Sequence, residues 1–284
     1  MPIHAQQILD DLNWTIKSPS LIVPSRHCHS LIDLYGVDVD QLVRHFEKSP
    51  PYKVGRYFES LVGFWLRDIR GLEIIEHQKQ IFAGTQTLGE IDFLYRDEQD
   101  DVVHLEVAVK FYLHFPDEHI SGSHFIGPNS NDNLEAKHRK LFDHQLKLGF
   151  AHFECVDRAE AFVKGRVFYH ADSEPPTLLQ EMLSGNHLRG HWIYSNELDW
   201  IDKFGPQAQF KIIQKPHWLS EVHSTESNPQ FISIDELKSL IQEHFADSIR
   251  PLLIAHMENN EDLWGEECRF FIVNPGWPHL IASR

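Results

Sequence analysis

Cysteine is scarce in this sequence of 284 residues: Cys28, Cys155 and Cys268 stand far apart and form no CxxC pair. That excludes a disulfide-stapled scaffold and makes a reducing cytoplasm the expected compartment. No apolar run is long enough to span a bilayer as a helix, so no membrane partner is expected. Residues 1–11 carry neither a basic n-region nor an apolar h-region, and no signal peptide is predicted there. There is no GK[ST] loop, GxGxxG turn or GxSxG elbow, so nucleotide-driven motors, dinucleotide enzymes and common esterases lose support. His27-Cys28-His29 has no second pair at finger-like spacing, so zinc is not expected. Positive charge is also short. A net charge of −16 argues against loose coating of nucleic acid or anionic membrane. It leaves room for a local basic groove, because salt screens each charge within about 8 Å.

The composition, 42% hydrophobic and 24% charged, is that of a folded protein with ample core, in one large domain or two small ones. Residues 1–49 read as a helical extension, broken at Pro19 and Pro24, with a helix near Asp38 to Glu47. Val54, Phe58, Leu61, Val62, Trp65, Leu66 and Ile69 form a helical stripe that Gly71 stops. A strand is predicted from Leu72 to Phe82, followed by a hairpin. Leu113 to Asp132 reads as a long loop. Asp132 and Glu135 are the expected capping box of a helix to about Leu148. Phe162 to His170 reads as a strand. After Pro175-Pro176 the strand candidates are His191 to Tyr194, Gln209 to Ile213 and Cys268 to Val273, with a helix from Asp235 to Phe245. The order predicts an α/β core over 50–175 with a mixed α+β region, 176–284, either separate or packed on it as one domain.

The hairpin carries the chemistry. Its first strand holds Gly89-Glu90-Ile91-Asp92-Phe93-Leu94, its turn an acidic cluster around Gln99, and its second strand His104-Leu105-Glu106-Val107-Ala108-Val109-Lys110. Alternation puts Val103, Leu105, Val107 and Val109 on one face, and His104, Glu106, Ala108 and Lys110 on the other. In the first strand Ile91, Phe93 and Tyr95 are expected to share a face opposite Glu90, Asp92 and Leu94. A turn centred on Gln99 sets Asp92 opposite Glu106, with Cβ atoms about 4.5–5.5 Å apart. Two carboxylates that close repel unless a proton or cation separates them, and oxygen ligands of this kind suit Mg²⁺ or Mn²⁺. A solvent-facing hairpin with surface charges accounts for the acidic turn. It accounts less well for Glu106 and Lys110 in an apolar, central-looking strand.

These residues resemble the PD-(D/E)XK, or restriction-endonuclease-like, nuclease superfamily over roughly Lys53 to His170. The chain as a whole is similar to a bacterial family of unknown function assigned to that superfamily. The resemblance implies a core of helix, three-stranded meander, helix and strand, with a glutamate on the first helix at Glu59. It implies a divalent metal, Mg²⁺ or Mn²⁺, on Asp92, Glu106 and Glu59. It also implies a metal-dependent nuclease, acting on DNA in preference to RNA, with Lys110 orienting water or offsetting charge. The family's lysine lies two residues after the second acid, where this chain has Ala108; Lys110 lies two further on. The helix after the meander carries Lys137, Lys140, His144 and Gln145, candidates for contact with nucleic acid. Leu134, His138, Leu141, Gln145 and Leu148 follow a 4,3,4,3 spacing that puts His138 and Gln145 on its apolar stripe. The rival function is a binding or scaffolding protein that keeps the fold without turnover, which Ala108 and the acidic total favour. A third is hydrolysis of a small phosphate ester. His114, His119 and His124 read as loop histidines, and the five tryptophans after residue 190 as core.

Overall fold

The computed structural model describes residues 5–24, 37–48, 51–115, 124–173, 181–226, 229–260 and 263–279. In chain order its elements are α1 (Ala5–Lys17), α2 (Val39–Glu47), α3 (Val54–Phe64), β1 (Glu73–Ala83), β2 (Gln86–Arg96), β3 (Val102–His114), β4 (Phe125–Ile126), α4 (Leu134–Lys140), α5 (Leu146–His152), β5 (Arg158–His170), β6 (Leu188–Tyr194), β7 (Gln209–Ile212), β8 (His223–Ser224), β9 (Ile232–Ser233), α6 (Ile234–Asp247), β10 (Leu252–Asn260) and β11 (Leu263–Val273). The protein is mixed α/β, with six α-helices among the described residues and one eleven-stranded sheet. None of these helices is long and apolar enough to cross a membrane.

The three helices before the sheet follow from local signals. The Asp38 side chain caps α2 by accepting from the Gln41 N–H at 2.9 Å. In α3, Tyr57, Phe58, Leu61 and Val62 are fully buried, each worth about 1.5–3 kcal/mol of apolar burial. The stripe continues through a π turn, Trp65–Ile69, and the chain leaves through Gly71 at φ +65°.

β1, β2 and β3 form an antiparallel meander. β5 lies on the other side of β3 and runs parallel to it, from Val103 opposite Arg158 to Leu113 opposite Phe168. A parallel neighbour needs a crossover, and β4, α4 and α5 supply it. The sheet then continues through β6, β11, β10, β7 and β9, so it crosses position 175 without a break. One face carries Phe93, Tyr95, Val103 and Leu105 against α1–α3. On the other face Tyr112, Val163 and Val167 pack with Leu134 of α4, and Leu94 packs with Leu148 of α5.

Several local expectations need correction. The cap of α4 is Asn133, whose side chain accepts from the Ala136 N–H at 2.8 Å. With Asn133 as cap, the third helical position is Ala136, so no Glu closes a box. Glu135 instead accepts the His124 N–H, and Asp132 faces Lys110. The expected helix runs without a gap from Leu134 to His152, but a π turn over Leu141–Gln145 lies between α4 and α5 and changes the phase of the stripe. β10 was not foreseen. It opens as a short apolar run, Leu252 to Ala255, buried on both faces, and ends in polar residues, so no alternation marks it. Along β2, Ile91 packs with Leu94 and Leu148 rather than with Phe93 and Tyr95. The face pattern therefore slips by one step between Ile91 and Phe93, at Asp92.

Gly165 shows how tightly β5 lies on β3. Its φ is +148°, and a Cβ there would fall 1.8 Å from the Lys110 carbonyl oxygen. Gly165→Ala is expected to cost about 3 kcal/mol or more, read as a lowered urea midpoint at unchanged slope. A midpoint within error of the parent's contradicts this packing.

Candidate active site

Asp92 sits where the sheet is interrupted on both sides. The β2–β3 ladder runs from Arg96–Val102 to Phe93–Leu105 and stops; the next pair in that register is Asp92 with Glu106. In place of a ladder bond, the Val107 N–H donates to Asp92 Oδ2 at 2.8 Å. Towards β1, pairing passes from His77–Phe93 to Lys79–Ile91 and omits Gln78, which takes φ +52°. A left-handed conformation costs a non-glycine residue about 1–3 kcal/mol and marks a place where local regularity is given up for something else.

The Asp92 carboxyl is pushed up to about 8, first by burial and then by the Glu106 charge. The Val107 N–H works against this, and Glu59 and Glu90 add to it. Near neutral pH the group holds its proton unless a cation takes the proton's place.

Glu106, on β3, is buried at 5% exposure and held from two sides. Its Oε1 lies 2.8 Å from His104 Nε2, and Gln145 Nε2 makes a long 3.4 Å contact with Oε2. His104 is fully buried, and its Nδ1 has no partner in the structure. The proton is thus assigned to Nε2, which donates to Glu106. Gln145 also donates to the Glu90 carbonyl at 3.2 Å, and His144 Nδ1 lies 3.0 Å from Gln145 Oε1. The helical segment comes this near because Gly89 has no side chain: a Cβ there would fall 2.5 Å from Leu148 Cδ1.

Glu59 approaches from α3. Its oxygens accept from Arg56 at 3.1 Å and Gln78 at 2.8 Å, with His77 Nε2 at 3.3 Å. Burial opposes its charge, but the hydrogen bonds from His77 and Gln78 and the Arg56 charge outweigh burial and hold the carboxyl below its ordinary value. Glu59 is near enough to Asp92 to raise it, yet its contacts are with Arg56, His77 and Gln78.

Lys110 is not bonded to either central carboxylate. Its Nζ lies 3.2 Å from Asp132 Oδ2. It lines a cleft of about 150 Å³ together with Glu106, Ala108, Lys137 and Lys140. Burial and the Lys110 charge hold Lys137 below the usual lysine value. The structure therefore brings Asp92 and Glu106 to one point, sets Glu59 beside it, and gathers three lysines along the cleft that starts at Glu106.

Among the described residues, no three His, Cys, Asp or Glu side chains stand as a ready-made metal cluster. The donors do fit a hard divalent cation: they are carboxylate oxygens, Glu106 buried and Asp92 half-buried beside it, with Asp92 holding a proton that a cation can replace. His104, His77 and Gln78 were not foreseen as parts of this site. Only His104 had a signal, since it shares a strand face with Glu106 two residues away. His138 lies 3.3 Å from the Val23 carbonyl, and His114 is lowered to about 4 by burial and His124. His119 and His27-Cys28-His29 fall outside the described residues. Trp192, Trp218 and Trp277 are core.

Fold and site together define an α/β protein with a carboxylate pair, one buried and one half-buried, at an interruption in a large mixed sheet. The chain belongs to a family described as a domain of unknown function, DUF1853, which matches residues 10–273. No curated protein is similar enough to the chain to be matched with it.

The Asp92 shift sets a pH dependence. In the unfolded chain an aspartate titrates at about 4, and in the fold burial and the Glu106 charge push Asp92 up to about 8. Between these values the native state binds a proton that the unfolded state does not. Asp92 therefore adds most to stability below the lower value, and that contribution is lost as pH rises through the upper one. Asp92→Asn keeps an acceptor for Val107 and cannot ionise. Its melting temperature relative to the parent is expected to climb steadily from acidic pH to about 8, and parallel profiles contradict the assignment.

Proposed function

We propose that the protein is a metal-dependent nuclease of the restriction-endonuclease-like kind, hydrolysing phosphodiester bonds in nucleic acid, DNA in preference to RNA. The observation that carries this is half-buried Asp92 set beside buried Glu106, which lines a cleft with three lysines. A helix, a three-stranded meander, a helical crossover and a strand parallel to the third are the order expected of such a core. The choice of DNA rests on the resemblance alone. The scarcity of cysteine suits work in the cytoplasm.

Asp92 and Glu106 would hold Mg²⁺ or Mn²⁺, with Glu59 joining directly or through water. The cation's contribution there is to polarise a phosphoryl oxygen and acidify a bound water. The protein does the rest. Asp92 gives up its proton on binding, while Glu59, kept ionised by Arg56, His77 and Gln78, adds negative charge beside it. His104 and Gln145 fix the Glu106 carboxylate, so little side-chain freedom is lost when it binds. Lys137 and Lys140 attract phosphates along the cleft, and Lys110 offsets charge as the phosphoryl group reacts. One observation favours a second reading, a nucleic-acid or protein binding module with little or no turnover. Lys110 is paired with Asp132, and the position nearer Glu106 is Ala108.

Purified protein with Mg²⁺ or Mn²⁺ is expected to cleave single- or double-stranded DNA, with Asp92→Ala lowering the rate by about a hundredfold or more. His104→Gln is expected to cost about tenfold through looser positioning of Glu106. Calorimetry should show Mn²⁺ binding that Glu106→Ala abolishes. No binding, or binding indifferent to Glu106, removes the site; binding without cleavage selects the binding module.

A further inference from the structure

The cleft beside Glu106 is more than a run of positive charge. Its volume is about 150 Å³, and its floor is apolar: Ala108, Leu134, Leu141 and Val163 line it. An apolar cavity of roughly this size accepts a single six-membered ring. A phosphate alone has no use for such a floor, and two fused rings need more room.

Tyr112 lines the same cleft. It is fully buried, and its hydroxyl has no hydrogen-bond partner in the structure. A buried hydroxyl left unmatched costs about 1–3 kcal/mol, so one on a residue that lines a cavity points to a polar group on what fills it. Lys110, Lys137 and Lys140 stand on the same cleft, and Lys110 alone of the three is in an ion pair among the described residues. The cleft therefore offers an apolar slot, an unmatched hydroxyl in its wall and cationic groups, next to Glu106.

We infer that this cleft takes the base of one unpaired pyrimidine nucleotide, with Tyr112 bonding the edge of the base and its phosphate directed to Lys137 and Lys140. The inference deepens the proposed function and rests on it for the nucleic-acid substrate. A base inside a duplex cannot enter a pocket; it must be single-stranded or swung out of the stack. The preferred substrate is thus single-stranded or frayed nucleic acid. Ala108 gains a role: a lysine at that position would project into the slot.

The test is fluorescence anisotropy in EDTA, with labelled oligothymidylate, an abasic strand of equal length and a duplex of equal length. Oligothymidylate is expected to bind about tenfold tighter than either of the others. Tyr112→Phe should weaken it several-fold, and Ala108→Trp, which fills the slot, by about tenfold. The comparison with the abasic strand uses the parent protein and so does not depend on either variant folding. Equal affinity for thymidylate and abasic strands overturns the base slot. Competition by free thymidine monophosphate at the same nucleotide concentration overturns the assignment to nucleic acid and makes the ligand a mononucleotide. The cleavage assay with Asp92→Ala is independent. Loss of cleavage there, with no preference for thymidylate, leaves the nuclease standing and removes the slot. A thymidylate preference without cleavage does the reverse.

Discussion

The bond from the Val107 N–H to Asp92 is the constraint on which the site depends. It occupies the place where the β2–β3 ladder would continue, and it draws a carboxylate into the sheet beside a second one. Two like charges brought together away from water repel, and the Glu106 charge raises Asp92. One backbone donor does not cancel that, and Asp92 ends far above its ordinary value. A protein built for stability alone has no reason to keep the pair. Glu106 is nevertheless held, by a 2.8 Å bond with His104 and a long 3.4 Å contact from Gln145. A costly charge arrangement with strong local support is what an ion-binding site requires.

The interruption at Asp92 also explains how groups from both sheet faces meet. Strict alternation would leave Glu59, on α3, separated by the sheet from the α4–α5 side. The slip between Ile91 and Phe93, with Gln78 in a left-handed turn opposite, opens β2 at that point. Gln78 then bonds Glu59, and Glu59 influences Asp92. On the far side, Gly89 lets Leu148 and Gln145 settle against β2.

Much of this was legible in the sequence, and the parts that were not have physical reasons. The turn centre at Gln99 fixes the β2–β3 register, and local patterning marks the three early helices and most of the strands. The interruption itself has no sequence signature. Gln78 is an ordinary strand residue until Glu59 and His77 are packed beside it. The π turn over Leu141–Gln145 changes the phase of a spacing that reads as one regular α-helix. The cap shifted from Asp132 to Asn133 because Asp132 serves Lys110. At Gln78 and Asp132 a contact distant in sequence overrode a local preference, whereas β10 was missed because its apolar run carries no alternation.

The central claim is that a divalent cation replaces the proton Asp92 holds. The direct measurement is calorimetry of Mn²⁺ binding near neutral pH in buffers of different ionisation enthalpy. The account predicts release of about one proton per cation bound, with Asp92→Asn abolishing the release. Binding with no proton release, or release that persists in Asp92→Asn, would contradict it.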